Sequence, residues 1–182
     1  MSALRALHRE RLADPTPCGS LWIDLNGTEC ALRCSGALWL PGEQALVAAD
    51  LHLEKGSAYA ARGQLLPPYD TADTLARLEA EVVALAPRTV ILLGDSFHDA
   101  RALGRIAPAH RLRLTALALG RTLIWVEGNH DVALLAERGA ALPGEVADEV
   151  RLATLTLRHE PQPGRQPGEV AGHLHPCIKL AR

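Results

Sequence analysis

From Leu21 onward the hydrophobic positions fall into two textures. Up to Asp50 they alternate with polar positions in short runs, Leu21 to Leu25, Glu29 to Leu32, Ala37 to Leu40 and Ala45 to Ala49, broken at Asn26-Gly27, Ser35-Gly36 and Pro41-Gly42. Period-two alternation between turn residues predicts β-hairpins. Asn26-Gly27 is the sharpest turn signal, because a tight hairpin turn needs two residues that accept positive φ. Past Asp50 the spacing lengthens: Leu75, Leu78, Val82 and Leu85 share one helical face, so Thr71 to Ala86 reads as a helix with Asp70 or Thr71 as its cap and Pro87 as its stop. A strand follows at Thr89 to Leu93, a second helix through Ala109 to Leu119 that ends at Gly120, and a strand at Thr122 to Val126. Residues 149 to 157 alternate as one strand with an irregularity, and Glu169 to Ala171 form a last short strand. Hairpins, then strand–helix alternation, then hairpins again predict an α/β (α+β) fold: two mixed sheets packed face to face and flanked by helices.

Residues 1–19 end in Asp14-Pro15-Thr16-Pro17 and read as a mobile leader; residues 20–182 read as a single domain. A chain of this length buries roughly 70% of its unfolded surface and needs no staples. Cys18, Cys30, Cys34 and Cys177 form no CxxC pair, and no secretory segment precedes them, so they read as reduced and structural. No apolar stretch reaches the length of a membrane span, which points to a soluble, cytoplasmic protein with no membrane partner.

Charge narrows the chemistry less than the motifs do. A formal charge of −2 and a pI near 6.4 give no global reason to bind nucleic acid, so any such binding has to be local. Lys55 and Lys179 are the only lysines, and Arg101, Arg105, Arg111 and Arg113 form one basic cluster, either a solvated helix face or a track for phosphates. Aromatic residues are few, which disfavours an extended stacking platform for bases.

Five apolar runs stop at polar residues able to bind metal: ALVAAD-LH at Asp50 and His52, TVILLGD at Asp95, LIWVEGNHD at Asn129 and His130, LATLTLRH at His159, and EVAGHLH at His173 and His175. The carboxyl ends of strands in an open α/β sheet share one rim, so residues far apart in sequence can meet there. Oxygen and imidazole donors without thiolate suit Mn, Fe, Zn or Co better than Mg or Ca. The donors outnumber one ion's needs. Two ions roughly 3.5 to 4 Å apart, sharing a carboxylate, explain the count and make a clamp for displacement at phosphorus. Two Asp carboxylates offset half the charge of two divalent ions, so the site stays cationic and suits an anionic phosphoester. Singly, Asp50 or Asp95 reads as a helix cap and Asn129 as a turn residue; it is their joint order that points to metal.

In order and context D-x-H at Asp50 to His52, G-D at Gly94-Asp95, G-N-H-D at Gly128 to Asp131, the lone His159, and G-H-x-H at Gly172 to His175 resemble the calcineurin-like metallophosphoesterases. The resemblance runs from about Ala45 to Pro176 and implies a four-layer-type β-sandwich. It also implies one metal on Asp50, His52 and His175, a second on Asn129, His159 and His173, and Asp95 bridging them. His130 would then act on the transferring phosphoryl group or the leaving oxygen, with Asp131 orienting it. DLHLEKG, GDSFHD, GHLHP and the RGQLLPPYD segment further resemble the ligase-associated DNA-damage-response endonuclease group called PdeM. That resemblance implies a Mn-dependent phosphodiesterase or endonuclease associated with a DNA ligase and repair enzymes.

GDSFHD departs from the common GD-x-x-D-x-G form of the superfamily, and this makes His98 a candidate contact for phosphate or leaving group, against a purely structural role. Lys55, Arg62 and Arg101 are lesser candidates for substrate binding. The domain is short after the last histidine, where family members continue through further strands. Cys177 to Ala181 supplies one short strand at most, so an exposed sheet edge and a homo-oligomer through it are expected. Two other readings stay open: a small-molecule phosphomonoesterase or nucleotide pyrophosphatase, and a non-catalytic interaction scaffold that kept the fold alone.

Overall fold

The first four strands build a meander: β1 (Leu21–Leu25), β2 (Thr28–Leu32), β3 (Leu38–Leu40) and β4 (Ala45–Ala48) pair antiparallel in sequence order. Leu25 faces Thr28 across a turn whose central residues, Asn26 and Gly27, take φ of 52° and 84°, the mirror-image turn that Asn-Gly favours. The computed structural model describes residues 19–67, 69–130, 132–137 and 142–176. The leader and the expected strand at Cys177 to Ala181 therefore lie outside the described residues, apart from Gly19.

From β4 the sheet becomes parallel. β5 (Thr89–Leu93), β6 (Thr122–Val126) and β7 (Glu145–Ala147) add in turn, giving seven strands in the order β1 to β7. The connections carry α1 (Lys55–Ala60), α2 (Asp70–Leu85), α3 (Ala102–Arg105), α4 (Pro108–Ala116) and α5 (Val132–Glu137). A second, mixed sheet pairs β8 (Glu149–Leu152) antiparallel with β9 (Leu155–Arg158), and β9 parallel with β10 (Glu169–Ala171). β10 is an edge strand of that sheet among the described residues.

Alternation along the parallel strands divides the core. Leu46, Val90, Leu92, Leu123 and Trp125 face the helices, where they pack with Leu75 and Leu78 of α2, Leu114 of α4 and Leu134 of α5. Val47, Ile91, Leu93 and Val126 point the other way, onto Leu155 and Leu157 of the small sheet. Each fully buried side chain of this size contributes roughly 1.5–3 kcal/mol of transfer free energy. Two mixed sheets flanked by helices are thus the architecture expected from the pattern. Cys30 is buried in the inter-sheet core, which pushes its thiol pKa up to about 11, while Cys34 is exposed.

Some local expectations change. The irregular strand over 149 to 157 is a hairpin, because Ala153 turns the chain at a φ of 51°. Asp70 and Thr71 do not cap α2; Asp70 Oδ2 and Thr71 Oγ1 accept from the amides of Gly56 and Glu54, and so cap α1 instead. The arginine cluster is tied to protein groups: Arg105 bonds Asp99 and Ser57, Arg113 forks onto Glu79, and Arg111 donates to the Leu103 carbonyl.

Candidate metal centre

The carboxyl ends of β4, β5 and β6 open onto one rim, and the ends of β9 and β10 arrive beside it. The loops after β4 and β5 are zipped together by main-chain bonds: Asp50 N to Gly94 O at 3.1 Å, His52 N to Asp95 O at 2.9 Å, and His98 N to Leu53 O at 3.0 Å. β10 is locked to β9 past its end by Gly172 N to His159 O at 3.1 Å. Two rigid pairs of loops therefore aim their side chains at one place.

Two groups of metal-binding side chains result: Asp50, His52 and His175, and Asp95, His159 and His173, the donor atoms of each lying within 4.8 Å of one another. Asn129 joins the second, its Oδ1 being 3.0 Å from both His159 Nε2 and His173 Nδ1. Asp50 joins the groups, and Asp95 anchors the loop after β6. The amide of His173 donates to Asp50 Oδ1 and Oδ2 at 3.1 and 3.0 Å, and the amide of His130 donates to Asp95 Oδ1 at 2.9 Å.

The donor set fits cations better than it fits its own hydrogen bonding. His52 Nε2 and His175 Nε2 face each other at 3.2 Å, and His52 Nδ1 is buried without a hydrogen-bond partner among the described residues. His159 Nε2 and His173 Nδ1 can both donate to Asn129 only by bringing two N–H groups 3.2 Å apart. Lone pairs turned inward on a cation remove that conflict. His159 Nδ1 lies 3.3 Å from the Leu93 carbonyl and donates to it, which turns Nε2 toward the site, the arrangement that orients a metal-binding imidazole. Burial holds the pKa of His52 below the ordinary imidazole range; Asp95 and Asp50 oppose it, and His175 and His130 add to it, so the ring is neutral at pH 7.

Backbone conformation at the rim is unusual. Asp50, His52, Asp95, His173 and His175 all take left-handed φ, between 41° and 65°. Non-glycine residues pay for that conformation, and such strain gathers at functional sites. Three glycines make room. A Cβ on Gly94 would run into the His159 ring, one on Gly128 into the Asp95 amide, and one on Gly172 would stand 2.8 Å from Asp50 Oδ2.

His130 is half exposed, its Nε2 3.9 Å from Asp95 Oδ2. Its ring lies 5.5 Å from that of His52 and stacks on His98 at 5.9 Å and 12°. Burial lowers the pKa of His98; Asp99 opposes, while His130, Lys55 and Arg62 add to the lowering. Asp131 lies outside the described residues. Arg101 stays exposed at the start of α3, and among the described residues no hydrogen bond or ion pair joins its guanidinium to the site; its amide donates to Asp99. Sequence reasoning missed Tyr59, whose ring is 5.7 Å from that of His98. The six-residue α1 is too short to show its period in the sequence, and only the fold puts Lys55, Tyr59 and Arg62 on one stripe.

No family model matches the chain, and no curated protein matches it. Among solved structures, the chain is similar to the crystal structure of Pseudomonas putida nuclease MPE, with 31% sequence identity over 86% of this chain and 74% of that one, at a TM-score of 0.68.

Proposed function

Since this chain belongs to the family of the Pseudomonas putida nuclease MPE, we propose that it is a dinuclear metal-dependent phosphodiesterase of the calcineurin-like type, acting on DNA. The observation that carries the reading is the convergence of seven donors from five strand ends into two adjoining groups. Asp50, His52 and His175 would hold one divalent ion, Asn129, His159 and His173 the other, and Asp95 would bridge them, with Mn the first choice of metal. When bound, such ions polarise a phosphoryl oxygen and lower the pKa of water.

The chain's own groups do the rest. His130 stands at the exposed lip of the site, held by its amide on Asp95, where its ring can meet the phosphoryl group and protonate the leaving oxygen. His98, stacked on His130, limits the rotation of that ring and is neutral at pH 7, so it can donate to a phosphate oxygen. Asp131, next in sequence, is the proposed orienting partner of His130.

The test is hydrolysis of an aryl phosphodiester beside the matching monoester by Mn-loaded protein, with Asp95→Ala as control. Diester turnover lost in the variant supports the reading. Preference for the monoester moves it to a small-molecule phosphatase. Full metal binding with silence on both, and on DNA, sinks it in favour of an interaction scaffold.

A further inference from the structure

The two sides of the site differ in charge. On one side an open cleft of about 410 Å³, bordered by Asn129 and His159, is lined by Glu127, Asp148, Glu149 and Glu160 against the single cation Arg158, which Glu149 and Glu169 already pair. A polyanion is repelled there. On the other side stands α1. Its residues Lys55, Tyr59 and Arg62 follow at i, i+4 and i+7, so they line one stripe of the helix and of the turn that continues it, where Arg62 N donates to Tyr59 O at 2.9 Å.

That stripe reaches the site through rings in contact. Tyr59 lies 5.7 Å from His98, His98 stacks 5.9 Å from His130, and His130 lies 5.5 Å from His52 of the first metal group. Lys55 and Arg62 are exposed, neither makes an ion pair among the described residues, and the charge of each reaches His98. Arg105 and Arg113, by contrast, are engaged by protein groups, Arg105 by Asp99 and Ser57 and Arg113 by Glu79. The end of α1 is fixed in place, since Asp70 and Thr71 hold its first amides and the buried Glu54 accepts from both Ser57 and Thr71. The stripe is a preformed surface.

We infer that Lys55, Tyr59 and Arg62, with His98, form a subsite for the nucleotide next to the scissile phosphate, the two cations taking its phosphate and the Tyr59 and His98 rings its base. The subsite rests on the phosphodiesterase reading above. It sends a bound strand away from the acidic cleft, and it makes the protein prefer a polynucleotide over a small diester, which has no neighbouring phosphate to offer.

The test is binding of a short fluorescein-labelled single-stranded DNA to the full chain, read by anisotropy in chelator, so that no turnover intervenes, across a range of salt. Lys55→Ala/Arg62→Ala is expected to weaken binding about tenfold and to flatten the log–log salt dependence by about 0.7 for each contact removed. Tyr59→Leu weakens binding roughly fivefold or more without changing the slope, because a stack releases no counterions. Arg151→Ala, on an 80% exposed side chain of the small sheet, is the charge control and leaves both unchanged. Equal affinity and slope in all variants, or a wild type that does not hold the strand, overturns the subsite. Hydrolysis of the aryl diester by Mn-loaded wild type separates the two readings: no turnover with the strand-binding differences intact sinks the phosphodiesterase and leaves the subsite standing.

Discussion

Replacing Gly94 by Ala tests whether the rim of the site is built around missing side chains. Gly94 holds a φ of 75°, and an added Cβ would overlap Nδ1, Cγ and Cβ of His159, a residue only 4% exposed whose Nδ1 is fixed on Leu93 O. Two costs follow. A left-handed backbone costs an Ala roughly 1–2 kcal/mol, and pushing a packed ring aside costs typically about 1–3 kcal/mol more. Gly27→Ala isolates the first cost, because Gly27 also has positive φ, at 84°, but nothing within 4 Å of the added Cβ. Gly94→Ala should therefore lose about 2–5 kcal/mol in urea denaturation, against about 1–2 for Gly27→Ala. For a chain of this size that corresponds to roughly 5–15 °C in Tm for Gly94→Ala. His159 moves in the first variant alone, so calorimetric Mn titration should show the loss of one ion there and none in Gly27→Ala. Equal destabilisation in the two, with equal metal stoichiometry, would refute the reasoning.

Two further perturbations probe interactions away from the candidate metal centre. Arg33 Nε meets Glu81 Oε2 at 2.8 Å with both side chains largely buried, so Arg33→Met, which leaves the carboxylate unpaired, should cost about 3 kcal/mol in urea unfolding, and Arg33→Met/Glu81→Leu should recover most of it. Burial works against the Asp99 carboxylate, but hydrogen bonds from Arg105 and the Arg101 amide, with the charge of Arg105, outweigh it and hold its pKa below the usual value near 3.8. A depressed folded pKa contributes stability that is present above the unfolded value and is lost as pH falls through the folded one. Asp99→Asn should accordingly cost about 1 kcal/mol at pH 7, and its unfolding midpoint should converge with wild type below pH 3.8, a gap that stays constant into acid being the contrary result.

The strands were legible because each is a short apolar run bounded by turn or helix-end residues: β1, β5, β6 and β10 stand where those runs put them, and β5 and β6 are apolar on both faces because both are covered. The site was legible for a related reason. A parallel strand must end in a loop on the shared rim, so the polar residue that stops each apolar run is also the residue the fold delivers to its neighbours. What escaped were elements too short to show a period. α1 spans one and a half turns and β7 three residues, and neither gives a periodicity in sequence. Without α1, Lys55 and Arg62 read as scattered cations and Tyr59 as nothing at all. The arginine cluster was ambiguous for the opposite reason: its spacing is visible, but Asp99 and Glu79, which pair Arg105 and Arg113, lie outside the helices that carry them, and only the folded structure shows that those two charges are spent.

The two metal groups differ in exposure, and exposure sets the order in which their ions leave. In the second group the side chains of Asp95 and His159 are 3% and 5% exposed, and His159 is pinned from behind by the Leu93 carbonyl. In the first, His175 is 53% exposed, its Nε2 3.4 Å from Asp50 Oδ1, and no protein group other than Asp50 and His52 bonds its ring among the described residues. An ion departs when water replaces its ligands one at a time, and a ligand free to swing into solvent is replaced first. Mixing Mn-loaded protein with excess coloured chelator in a stopped-flow cell should therefore give two phases of equal amplitude. The fast phase belongs to Asp50, His52 and His175. His175→Ala should remove it and keep the slow one, whereas Asn129→Ala should accelerate the slow phase alone. A fast phase that survives His175→Ala would mean that the buried group holds its ion the more loosely, and that burial here serves to shape the site and not to retain the metal.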